Sequence, residues 1–97
     1  MHNQVRLGGT VVAREALRQT PAGVPILTFT LKHESMQVEG AVPRQVGFEI
    51  EAMAMGDVAQ AMSALQAGQK VRLAGFLASR SRLSTRVVLH VNQFEFE

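Results

Sequence analysis

The apolar residues of this chain recur with a period of two in five separate stretches, and with a helical period in one, placed between the third stretch and the fourth. Successive side chains of a strand point to opposite faces, so period-two alternation marks a half-buried strand. In residues 3–13, NQVRLGGTVVA, Val5, Leu7 and Val11 share one parity and Gln4, Arg6 and Thr10 the other. The adjacent Gly8 and Gly9 predict a bend or bulge inside that strand. The next segment, LRQTPAGVP, carries Pro21, whose fixed φ suits the second residue of a turn, and Gly23, which tolerates positive φ. It reads as a hairpin loop. Alternation resumes over residues 24–33, where Leu27, Phe29 and Leu31 oppose Thr28, Thr30 and Lys32.

Residues 35–44 hold Gly40 and Pro43 among polar side chains and read as a loop. A third strand follows over 45–54, with Val46, Phe48 and Ile50 on one face and Gly47, Glu49 and Glu51 on the other. The period then changes. Asp57 is a good N-cap, and Val58, Ala61, Met62 and Leu65 fall at helical spacing before Gly68, which predicts one helix of about ten residues, roughly 15 Å long. Two more strands are predicted over 69–79, with Val71, Leu73 and Leu77, and over 86–96, with Val87, Leu89 and Val91. Five strands with one short helix between the third and fourth is the order of an all-β OB-fold, a five-stranded Greek-key barrel. Ninety-seven residues are too few for two separate cores, so residues 1–97 are expected to form a single OB-fold domain.

In that fold the loops after the first and fourth strands flank a surface built on strands two and three, where oligonucleotides bind. The charge distribution gives that surface a candidate partner. Between Asp57 and Glu95 there is no acidic residue, while Lys70, Arg72, Arg80, Arg82 and Arg86 are all basic. Three of these arginines crowd into SRSRLSTR, residues 79–86, at the junction of the fourth and fifth strands. Arginine pairs with phosphate through a two-pronged fork and also stacks on bases, and the neighbouring hydroxyls of Ser79, Ser81, Ser84 and Thr85 are further phosphate donors. Arg18 in the first hairpin loop, Arg44 before the third strand and Lys32 on the second extend the basic set. Arg14 and Arg72 read as ordinary surface charges.

The same patterns exclude other functions. No apolar run reaches the roughly 18 residues of a membrane span, and MHNQVRLGG lacks the layout of a signal peptide, so a cytoplasmic location is expected. With no cysteine there is neither a disulfide nor a thiolate metal site. His2, His33 and His90 lie on three different elements without ligand spacing, no nucleophile has a base placed beside it, and no glycine-rich phosphate loop opens a helix. No metal, cofactor or enzymatic activity is expected. Phe29 and Phe48 share parity with core residues, and Phe94 and Phe96 are placed to close the barrel; Phe48 could touch a base only if a twist at Gly47 re-aimed it.

The segments NQVRLGGTVV, LRQTPAGVPILTFTLKHES, RQVGFEI, GQKVRLAGFL and VVLHVNQFEF together resemble the primosomal replication protein N (PriB) family, compact relatives of bacterial single-stranded DNA-binding proteins. That resemblance spans nearly the whole chain. It implies a cytoplasmic homodimer without catalytic activity that binds single-stranded DNA. Such a protein helps restart replication at stalled forks with the primosomal helicase and the proteins that load the replicative helicase. It places Arg80, Arg82, Arg86, Arg18 and Arg44 at basic positions of the family's binding surface. The aromatics depart: Gly47 and Val42 stand where relatives present aromatic residues, and Glu34 where a basic one occurs. Two alternatives stand beside it, a general single-stranded DNA-binding protein without its acidic tail, and an OB module that binds a protein partner and no nucleic acid.

Overall fold

The computed structural model describes all 97 residues, Met1–Glu97. Its elements are β1 (Val5–Arg14), β2 (Arg18–Gln19), β3 (Pro25–Glu39), β4 (Val42–Met55), α1 (Asp57–Ala61), β5 (Lys70–Ser79) and β6 (Val87–Phe96). The sheet runs β1-β5-β6-β4-β3-β2 and closes through an additional β1–β3 pairing, so the five long strands form a barrel. The one parallel contact, β4 with β6, joins Ala52 to Leu89 and Met53 to His90. Inside lies one core of Val11, Leu27, Phe29, Leu31, Ala52, Ala54, Val71, Leu73, Leu89 and Val91. These are the parities that alternation assigned to the interior. Ala59, Met62 and Leu65 cover one mouth of the barrel.

Three local features differ from the sequence expectation. Residues 35–44 are not a loop. They form the arms of a hairpin in which β3 and β4 pair without a break from Ile26↔Met55 to Glu39↔Val42. Only Gly40 (φ 58°) and Ala41 (φ 65°) turn the chain, and two consecutive positive φ values are the geometry of the tight turn that suits strand twist. The arms project from the barrel with both faces largely in solvent, so their backbone ladder persists where hydrophobic alternation gives no signal. They help extend the molecule to 50 Å along its longest axis.

The helix is half the expected length: Gly56 (φ 68°) is the N-cap, Asp57 begins the helix rather than capping it, and the last helical residue is Ala61. Met62 and Leu65 remain fully buried beyond it, so their spacing records what the barrel mouth must cover rather than a continuing helix. Gly8 and Gly9 pair regularly with Arg72 and Val71, and the irregularities fall instead between Val11 and Ala13 and between Ala74 and Gly75. Gly9 has a different use. A Cβ there would overlap the Lys32 carbonyl, so glycine is what lets β3 approach as β1 passes from pairing with β5 to pairing with β3.

Candidate nucleic-acid interface

The outward parity of β3 carries Thr28, Thr30, Lys32 and Glu34, and the strand register sets them against Met53, Glu51, Glu49 and Gly47 of β4. Two concavities of about 440 and 430 Å3 lie on this face and share Glu15, Thr28, Glu51 and Arg80 in their walls. Arg86 lines the first, Arg18 and His90 the second. The loop from Arg80 to Arg86 is cinched at its base by the Arg80 amide donating to the Arg86 carbonyl (2.9 Å), and its tip is held open to solvent, with Leu83 fully exposed. On the opposite rim, the Thr20–Gly23 turn (Gly23 N to Thr20 O, 2.8 Å, Gly23 φ 83°) uses Pro21 and Gly23 as the sequence expected, and β2 fastens Arg18 to β3 at Ile26.

The arginine knot is not wholly uncompensated. Arg80 Nε lies 3.8 Å from Glu51 Oε2, whereas Arg82 and Arg86 make no ion pair. Lys32 sits 3.6 Å from Glu34 on its own strand. Arg44 stands apart from the rest. It lies in the hairpin arm opposite Gln37, holds Glu39 Oε1 at 2.8 Å, and shares the parity of Phe48 rather than that of Lys32. The structure therefore brings Arg18, Arg80 and Arg86 around two adjoining concavities, sets Lys32 farther along β3 in the wall of a separate one with His33 and Glu34, and puts Arg44 on the other face of the hairpin. Arg14 is no ordinary surface charge: its guanidinium donates to the carbonyls of Ser63 (2.9 Å), Leu65 (2.8 Å) and Glu15 (3.0 Å), tying the first loop to the segment after α1.

Phe48 is a further correction. It has core parity, yet it is 41% exposed, because β4 has already left the barrel at that point; its ring lies 5.1 Å from that of His33. The His33 Nδ1–H donates to the Gly8 carbonyl (2.6 Å), which leaves Nε2 to accept from the Ser35 hydroxyl (2.7 Å). Phe96, expected to close the barrel, is exposed and packs edge-on against Phe94. A larger concavity, about 890 Å3, lies elsewhere, between α1 and β1, β5 and β6. Its Arg72 is already engaged by Glu95 (3.0 Å) and Glu97 (3.6 Å), and its one free arginine, Arg6, shares the lining with the carboxylates of Asp57 and Glu95, so it favours a polyanion less than the arginine-rimmed face does.

Sequence reasoning missed one row of side chains. Phe76 of β5 pairs with His90 of β6, His90 with Met53 of β4, and Met53 with Thr28 of β3, so the four lie in line across the outer face. The Phe76 and His90 rings are parallel, with centroids 5.0 Å apart and planes inclined by 4°. Parity with Arg72 and Ala74 already sets Phe76 outside the barrel, where it is exposed rather than buried against the helix, but no local signal could have found the row, because it exists only through barrel closure.

A five-stranded barrel whose arginine-rimmed groove lies between the loops after β1 and β5 is the architecture of OB-fold single-strand binding proteins, and the model of a single-strand binding protein family matches residues 3–93. Replication restart protein PriB of Nitrosomonas europaea is 40% identical over 92% of this chain and 82% of its own length, and that of Neisseria meningitidis is 36% identical over 97% and 93%. A solved structure of priB from Ralstonia solanacearum superposes with a TM-score of 0.89 at 35% identity, covering 100% of this chain and 99% of that one. The single-stranded DNA binding protein of Thermus aquaticus matches 99% of this chain with 50% of its own, at 25% identity and a TM-score of 0.78. The chain belongs to the PriB family of replication restart proteins.

Proposed function

We propose that this protein is a non-catalytic accessory factor of replication restart, which holds single-stranded DNA in the groove between the β1–β3 and β5–β6 loops. The observation that carries this function is the convergence of Arg18, Arg80 and Arg86 on one concave face, with the unpaired Arg82 beside them. Glu15, Glu49 and Glu51 line the same face, so phosphate is favoured along the rim, where the arginines stand, and disfavoured over the acidic floor. Binding then depends on arginine–phosphate contacts, falls steeply with salt, and varies little among sequences. In the cytoplasm the protein would act at stalled forks with the primosomal helicase and the proteins that load the replicative helicase, whose names come from the family and not from this groove. The groove's affinity is tested by titrating labelled oligo-dT with the protein and following anisotropy. A saturable rise that unlabelled duplex competes poorly is expected, and an unchanged signal at micromolar protein contradicts it.

The working unit is a homodimer. Residues Val5–Gly9 of β1 pair with β5 on one side, while pairing with β3 begins only at Thr10, so a backbone edge is left open. Open edges are commonly covered, and a second copy covers one symmetrically. Sedimentation equilibrium is expected to give twice the 10.6 kDa chain mass. A tetramer favours the general single-stranded DNA-binding alternative, and a monomer at micromolar concentration contradicts the dimer.

A further inference from the structure

We propose that the Phe76–His90 pair is the base-stacking platform of this protein, taking the place of an aromatic that β4 lacks. The outward residues of β4 are Gly47, Glu49, Glu51 and Met53, so that strand offers no π-face to a base. The other phenylalanines are committed elsewhere. Phe29 is buried in the core, Phe94 packs against it with Phe96 on its edge, and Phe48 lies against His33 on the opposite parity. Phe76 alone stands exposed (41%) on the face that bears the groove. Its ring is held parallel to His90, and His90 lines the same concavity as Arg18 and Arg80. A base laid over this pair extends an existing parallel stack while its phosphates reach the arginine rim.

A second, independent observation lies in the same row. The Thr28 hydroxyl is buried, has no hydrogen-bond partner within the protein, and belongs to the wall of both concavities. A buried hydroxyl left without a partner is costly, and a small shift of the wall that admits a polar atom of a seated nucleotide would satisfy it. Met53, between Thr28 and His90, supplies a polarizable surface over which a base can slide. The ligand class is an unpaired nucleobase, since a duplex hides its base faces.

The platform rests on the single-strand function proposed above, and the test separates the two. Labelled oligo-dT and an abasic strand of equal length are titrated against the wild-type protein, Phe76→Leu, and a variant with Arg80, Arg82 and Arg86 replaced by alanine. Stacking is worth about 1–3 kcal/mol per base, so Phe76→Leu is expected to weaken oligo-dT binding about 5- to 150-fold. Its salt slope stays unchanged, and the abasic strand binds both proteins equally. Equal oligo-dT affinity of Phe76→Leu and wild type, with binding lost in the arginine variant, overturns the platform and leaves the phosphate groove standing. No binding by the wild type overturns the groove as well. Should Phe76→Leu fail to fold, Phe76→Trp gives a separate readout, because the chain has no other tryptophan. Quenching of its emission by oligo-dT is expected, and emission that oligo-dT leaves unaltered overturns the proposal.

Discussion

Alanine at Arg80, Arg82 and Arg86 together is expected to weaken oligo-dT binding about ten- to a hundredfold and to flatten its salt dependence. An exposed charge pair is worth up to about 1 kcal/mol, and three of them span that range. Each phosphate contact on a single strand contributes about 0.7 to the slope of log affinity against log salt. Arg82 and Arg86 are free of ion pairs and should count fully, while Arg80 already faces Glu51 at 3.8 Å and should count for less. The slope is therefore expected to flatten by about 1.4 to 2. A triple variant with the wild-type slope would mean that the loop is a solvated turn and that phosphate is held elsewhere. The three side chains lie outside the core, so the unfolding midpoint should barely move.

Gly75→Ala is expected to do the opposite, damaging the fold before it reaches the ligand. A Cβ on Gly75 would overlap the His90 carbonyl oxygen, with the carbonyl carbon at 2.8 Å and Val91 Cα at 3.1 Å. These are backbone atoms of the paired strand, which no side-chain rotation can clear. The position directly follows the β5–β6 irregularity at Ala74/Gly75 and directly precedes Phe76. Overpacking costs about 1–3 kcal/mol where side chains can yield, so a backbone clash should reach about 3 kcal/mol or more. In a domain of this size that corresponds to a fall in Tm of roughly 12–24 °C. Gly8→Ala is the matched control, because its Cβ would meet only Val71 O at 3.6 Å and Arg72 Cγ at 3.7 Å, ordinary contacts. Thermal unfolding by circular dichroism distinguishes the two, and equal midpoints would contradict the close β5–β6 approach.

The barrel was legible because its strands are half-buried. Leu27, Phe29 and Leu31 on β3 and Val71 and Leu73 on β5 alternate with polar neighbours, and the same residues fill the core. Alternation fails as a signal where neither face is buried, which is why residues 35–44 read as a loop and form hairpin arms. It misleads where a strand outruns the barrel, as at Phe48, whose core parity continues into solvent. The arginine loop could be read from charge and strand order alone. The line from Phe76 through His90 and Met53 to Thr28 could not, since the parallel β4–β6 contact that completes it joins residues far apart in the chain. Likewise, nothing local shows that Arg80 meets Glu51, or that Arg14 is spent on carbonyls beyond α1.

The most direct test of the groove's function is the salt dependence of oligo-dT affinity for the unaltered protein, with duplex of the same length as competitor. Arg18, Arg80, Arg82 and Arg86 supply the phosphate contacts proposed for each protomer. A slope of about −2 to −3 per protomer is therefore expected, with single strand preferred over duplex. A slope near zero, or equal affinity for duplex, would contradict a groove that grips single-stranded phosphate through its arginine rim and its bases through the outer face of the barrel.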